Sequence, residues 1–310
     1  MSIPPAIDLQ VNGYAGVDFN ADGLTEAAFA EACALMKAHG VAKFLPTVIT
    51  AETDAMCRRL AALRDLSDSL PIARQMVAGI HIEGPFLNEQ AGYVGAHPVA
   101  AVQPANVAVM QRLLEAAGPL ARIVTLAPER DPDFAVTRFL YERGVIVAAG
   151  HCDPSLSELN AAIDAGLSMF THLGNGCPMQ MHRHDNIVQR VLSLDRPLWI
   201  GFIADGAHVP LFALKNYLRC AGIKRCYVVT DAISAAGLGP GSYTLGDQQV
   251  EIGEDLIPWA ADRSHFIGSA TTMSRMIANL RHGLGLDDEQ IAMLVSENPA
   301  MALSRSGIPA

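Results

Sequence analysis

Four short runs carry residues able to do hydrolytic chemistry together: Glu83 in HIEGP, His151 in AAGHCDP, His172 in FTHLGNG and Asp231 in VVTDA. One carboxylate and two imidazoles offer three N/O donors to a divalent metal and leave a position open for water, the layout of a catalytic zinc-type centre. Asp231 adds a further acid. Two more runs supply polar groups of the same kind: Gln10 and Asn12 in IDLQVNG, and Asp205 and His208 in IADGAH. A lone histidine is more often a packing residue than a ligand. The argument for metal chemistry therefore rests on the set.

The elements that must position these residues are short β-rich apolar runs alternating with longer helical patterns. The runs are Ala6–Val11, Phe44–Ile49, Met76–Ile82, Ile123–Leu126, Val145–Ala149, Ser168–Thr171, Leu198–Ala204 and Cys226–Thr230. They are continuous rather than alternating, as expected of strands buried on both faces of a parallel sheet. Between them lie helical segments such as Thr25–His39, stopped by Gly40, one opened by Asp153-Pro154-Ser155, and one opened by Pro210. Eight strand–helix units predict an α/β fold, a (β/α)8 TIM-type barrel, whose active site lies just past the C-terminal ends of the strands. Each of the chemistry-bearing runs falls there. Two stretches interrupt the alternation. Residues 85–104 form a Gly/Pro-rich loop after the third strand, and residues 241–253 read as a β-hairpin inserted after the eighth.

Composition narrows the function classes. Of 310 residues 50% are hydrophobic and 17% charged, which excludes a disordered chain. A net charge of −10 without a Lys/Arg cluster argues against a nucleic-acid partner. No apolar run approaches about 18 residues, so no membrane span is expected. No signal-peptide pattern follows Met1, and six cysteines lack paired spacing, so a soluble, cytoplasmic enzyme with reduced thiols is expected. Cys152 and Cys177 read as small apolar fillers, and His39 and His282, each before a glycine, as helix C-terminal residues.

The stretches IDLQVNGYAGVDFN, GIHIEGPFLN, GAHP, AGHCDPS, THLGNGCP, ADGAHV, VTDAISAAG and FIGSATTM, in this order from residue 7 to about residue 274, resemble the N-acetylglucosamine-6-phosphate deacetylases of the amidohydrolase superfamily. The resemblance implies metal ligation by Glu83, His151 and His172, and acid/base catalysis by Asp231 with carbonyl polarisation by His97. It implies substrate contacts at Gln10, Asn12, Ala96, His97, Asn175, Gly176, Arg183, Asp205, His208, Ile267 and Gly268. Gln10 and Asn12 stand where many superfamily members hold a second metal through a His-x-His, so one divalent ion is implied, zinc first and iron or another ion as alternatives. The expected partner is a small amino sugar substrate, with a homodimer as the family's usual assembly.

The chain departs from the family in two places. One barrel domain is expected over residues 1–310, without the small β-sandwich that relatives build from flanking segments. His182-Arg183-His184-Asp185-Asn186 replaces the usual His-Arg-Glu-Pro-Gly, and Gly176-Cys177 the usual Ala-Met. Hydrolysis of a different amide, such as an N-acyl amino acid, a non-phosphorylated N-acetyl sugar or a cyclic amide, is the alternative reading. A Schiff-base aldolase needs a lysine at a strand's C-terminal end, and none of the four lysines stands at one.

Overall fold

The computed structural model describes residues 3–245, 248–253, 258–259 and 268–304. Eight parallel strands follow one another in sequence order: β1 (Ala6–Val11), β2 (Val41–Ile49), β3 (Ile80–Glu83), β4 (Ala121–Leu126), β5 (Ile146–Ala149), β6 (Leu167–Phe170), β7 (Trp199–Ile203) and β8 (Cys226–Val229). Helices α1 (Glu26–Ala38), α2 (Thr53–Ser69), α3 (Pro71–Met76), α4 (Val107–Ala117), α5 (Ala135–Glu142), α6 (Leu156–Ala165), α7 (Ile187–Leu192) and α8 (Leu211–Ala221) form the crossovers. This is the expected TIM-type barrel. The inserted hairpin is present as antiparallel strands Gly241–Leu245 and Gln248–Ile252, while its expected tip, Gly246-Asp247, lies outside the described residues.

Local chemistry sets the boundaries. Thr25 caps α1 by accepting from the Ala28 N–H at 3.3 Å, and Gly40 ends it at φ +87°. Ser155 and Glu158 close a capping box on α6, fixing the chain just beyond His151. Two strands start three or more residues away from the sequence reading. The second strand starts earlier, at Val41, and includes Lys43, whose ammonium group reaches the Gln75 carbonyl at 2.6 Å. The third starts at Ile80, because Pro71 at a helix N-terminus nucleates α3 and Met76 becomes its last residue.

The helices seal an apolar shell around the strands, with Phe29, Met36, Met56, Leu60, Met110 and Leu140 fully buried. The lumen is polar. Asp8, Gln10, His81, Glu83, Thr125, Thr171 and Thr230 are all buried. His81 donates through Nδ1 to the Leu9 carbonyl at 3.0 Å, so its Nε2 accepts from the Thr125 hydroxyl at 2.7 Å. β1 and β3 are not neighbours, so bonds from β1 to His81 and Glu83 cross the lumen. Among the described residues no helix is long and apolar enough to cross a membrane.

Candidate metal centre and active site

Glu83 ends β3 at the top of the lumen, 2% exposed, and three imidazoles turn toward it. His172 Nε2 lies 3.1 Å and His151 Nε2 3.3 Å from Oε1, and His97 Nε2 lies 3.9 Å from Oε2. The rings are edge to face, with centroids 4.4 Å apart for His97 and His151 and 4.8 Å for His151 and His172. Burial alone would raise the Glu83 carboxyl, but the facing His151 and His172 groups outweigh it and hold the carboxyl well below the usual range. Burial lowers His97 to about 3, keeping it neutral. The carboxylate is ionised and ringed by imidazoles.

The donor set fits a metal ion. His151 Nδ1 must donate to the Tyr93 carbonyl at 2.8 Å, so in the neutral ring Nε2 presents a lone pair to a carboxylate oxygen. Two lone pairs facing each other are relieved by a cation between them, and fixing a ligand ring through its second nitrogen is the common support of a metal-binding histidine. The ligand atoms of Glu83, His97 and His151 lie within 4.8 Å of one another. His172 Nε2 faces the same Glu83 oxygen as His151, so the structure gathers four donor residues where the sequence reading assigned three.

Asp231 follows β8 across the mouth from Glu83 and is fixed from below. Asn12 Nδ2 donates to its Oδ1 at 2.7 Å, and its own N–H donates to the Gln10 carbonyl at 3.0 Å. Burial and then the Glu83 charge push its carboxyl above the ordinary range. Gln10 Nε2 donates to Glu83 Oε1 at 2.9 Å, and its Oε1 accepts from the Thr171 hydroxyl. Gln10 is 1% exposed and lies beneath Glu83. The two amides thus hold the two carboxylates from the lumen side.

Three site residues sit in left-handed backbone: His151 at φ +52°, His172 at +28° and Asp231 at +48°. Such conformations cost of order 1–3 kcal/mol and cluster at functional sites. Around His151 the backbone comes unusually close. A Cβ on Gly176 would lie 2.8 Å from His151 Nδ1, and one on Gly95 3.1 Å from Cε1. The ring fits only between two glycines.

The residues expected to touch substrate are spread around this floor. Ala96 is exposed beside His97, and Asn175 donates to the His172 carbonyl at 3.2 Å. Asp205 accepts the Ala207 and His208 N–H groups, both at 2.9 Å, and binds His208 Nδ1 at 2.6 Å. Burial opposes ionisation of Asp205, but the His208 ring and these turn N–H groups outweigh it and hold its carboxyl low. Gly268 lies against Ile233, two residues past Asp231, and Ile267 lies outside the described residues. Arg183 is exposed on the loop after β6. Beside it, Tyr93, Asp153, Met181, His182, Asp185 and Arg190 line a cavity of about 440 Å³. Arg190 is committed there to Asp153 at 2.7 Å and Asp185 at 2.6 Å, which leaves Arg183 as the free cation of this loop among the described residues.

Sequence reasoning missed the supporting groups. Asp8 and Thr171 sit inside the quoted runs without being singled out, and Tyr93 and Asn279 lie outside them. Asn279, in a π-helical turn, donates to the Ala204 and Asp205 carbonyls, both at 3.0 Å, and so fixes the Asp205–His208 turn. A π-turn is invisible in the hydrophobic pattern.

Comparison with known proteins gives a consistent result. The chain is 35% identical over 310 residues to the N-acetylglucosamine-6-phosphate deacetylase of Homo sapiens, covering 97% of this chain and 74% of the relative. It is 30% identical over 306 residues to the N-acetylgalactosamine-6-phosphate deacetylase of Escherichia coli O157:H7, covering 98% and 78%. A solved mutant of the Mycobacterium smegmatis N-acetyl-D-glucosamine-6-phosphate deacetylase, in complex with N-acetyl-D-glucosamine-6-phosphate, matches at a TM-score of 0.87 and 28% identity over 99% of this chain and 79% of that one. No family model matches the chain.

Proposed function

The chain belongs to the N-acetylglucosamine-6-phosphate deacetylase family of the amidohydrolase superfamily, and on that premise we propose that it hydrolyses the acetamide of an N-acetylated amino sugar phosphate, releasing acetate and the free amino sugar. The observation that carries this reading is the ionised Glu83 carboxylate ringed by buried imidazoles with Asp231 opposite it. N-acetylglucosamine 6-phosphate is the first substrate to test, with its galacto isomer next, since relatives are named for both.

In this reading Glu83, His151 and His172 would hold one divalent ion, which would supply Lewis acidity to polarise an amide carbonyl and lower the pKa of a water. Gln10 and Asn12 already donate to Glu83 and Asp231, which favours one ion over two. Asp231 takes the proton of the attacking water and delivers it to the departing amine. His97, buried and neutral, donates a hydrogen bond to the developing oxyanion. His208, oriented by Asp205, faces the sugar, and Arg183 takes the phosphate.

The test is acetate release by metal-reconstituted protein from N-acetylglucosamine 6-phosphate, N-acetylgalactosamine 6-phosphate and unphosphorylated N-acetylglucosamine. Turnover of a phosphorylated sugar alone is expected. Failure on all three with an ion bound would send the search to other amides, where the altered loop around His184 points.

A further inference from the structure

Seven neighbouring strand pairs of the barrel form parallel ladders, from β1–β2 round to β7–β8. The eighth seam, β8 to β1, is different: among the described residues its backbone pairing is a single bridge, Val11 with Ala232, beyond the end of β8. A side chain stands in for the missing ladder. Asp8 Oδ1 accepts the Thr230 N–H at 3.1 Å, and Oδ2 accepts the Thr230 hydroxyl at 2.5 Å. Oδ1 also faces the Gln10 N–H at 3.4 Å.

Asp8 is 0% exposed, and no cation pairs with it among the described residues. Burying an unpaired carboxylate is expensive, and a well-packed apolar pair would close a barrel seam at lower cost. A carboxylate supplies two acceptors in a fixed geometry. They seize both donors of the residue that precedes Asp231, at the point where the chain turns left-handed. From there the Asp231 N–H reaches the Gln10 carbonyl, and the Ala232 carbonyl accepts the Asn12 and Gly13 N–H groups at 2.7 and 3.1 Å. The seam and the seat of Asp231 are one structure.

We infer that Asp8 and Thr230 form a latch that holds the Asp231 carboxylate over the centre, making Asp8 a positioning residue for the hydrolysis. The inference rests on the reading of Asp231 as the proton shuttle. Thr230→Val keeps the volume and removes the hydroxyl, whereas Thr230→Ser keeps the hydroxyl. Asp8→Asn keeps an acceptor for the Thr230 N–H and can donate to its hydroxyl.

The experiment compares these full-length, metal-loaded variants with wild type for kcat, KM and ions bound per chain, and solves the crystal structure of Thr230→Val. Thr230→Val should lose about 10- to 100-fold in kcat, the cost of a roughly 1 Å misplacement, with KM and ion content held. Thr230→Ser and Asp8→Asn should recover most of that loss. In the crystal, Asp231 should leave its left-handed conformation and open its 2.7 Å bond to Asn12. Unchanged kcat in Thr230→Val with only a lower Tm would reduce the seam to a structural staple and overturn the latch. A fall in bound ion that tracks kcat would also overturn it, by moving the effect to the ligands. Should wild type release no acetate from any sugar, the functional reading fails, and the Asp231 geometry in the variant crystal still decides the latch.

Discussion

The floor of the active site and the loop above it are built on opposite principles. On the floor, Glu83, His151, His172 and Asp231 leave the ends of four strands; the first three are buried and Asp231 is half-buried, and each is held by groups from another element. In the loop after β6, Met179, His182, Arg183, His184 and Asp185 are exposed, and their bonds are short-range, such as Asp185 N–H to His182 Nδ1 at 2.9 Å. In the proposed function the floor supplies the bond-breaking chemistry and the loop selects the molecule that brings the bond. The residue differences noted with the resemblance, at positions 176–177 and 184–186, fall in the loop.

The sharpest way to test that division is Asp231→Asn. If the floor alone does the chemistry, kcat should fall by about 10³- to 10⁴-fold while the bound ion is retained, measured by acetate release beside metal analysis. Near-normal turnover with full ion content would remove Asp231 from the mechanism. Acidity probes the same floor from below. Burial pushes Asp8 up to about 7 from 3.8, so folding favours its protonated form. That contribution is complete below about pH 4 and is lost as pH rises toward 7. Asp8→Asn cannot ionise, so its unfolding free energy relative to wild type should grow by up to about 4 kcal/mol across that window, read from urea midpoints. A flat difference would mean that folding leaves the Asp8 pKa unshifted.

A smaller effect is expected where floor and loop meet. Gly176→Ala drives a methyl group into the His151 ring at a position with φ +59°. It should weaken ion binding by about 10- to 100-fold, like loss of a ligand's support, by competition with a chelator. Unchanged affinity would show that the ring can shift freely. The loop itself should give the mildest and most selective result. Arg183→Ala should raise KM about 10-fold or somewhat more for a phosphorylated sugar and leave an unphosphorylated one unaffected, consistent with loss of one charged hydrogen bond. Equal effects on both substrates would take the anion away from Arg183.

How much of this was legible beforehand follows the same division. The barrel could be read because strands covered on both faces must be apolar throughout, and the floor because strand ends in such a barrel place their polar residues on one rim. The edges of strands were less legible. Lys43 looks like a loop residue but is an exposed member of β2 whose ammonium group reaches the Gln75 carbonyl, and Met76 is apolar enough for a strand although Pro71 commits it to a helix. Cross-lumen partners were not legible, because nothing local in Gln10 says that its amide meets Glu83, 73 positions away. The same holds for Asp8 and Thr230, 222 positions apart.

The left-handed turns at His151, His172 and Asp231 have a consequence for which elements the site can adopt. Outside glycine, that region of backbone is tolerated best by asparagine, aspartate and histidine. The backbone thus favours, at these positions, side chains that carry nitrogen or oxygen donors. An imidazole and carboxylate set suits zinc, iron and their neighbours and turns away the soft ions that sulfur attracts. Swapping a histidine here for cysteine would replace a residue this torsion suits as well as change the donor, so a dihedral angle biases the choice of ion before any ion arrives.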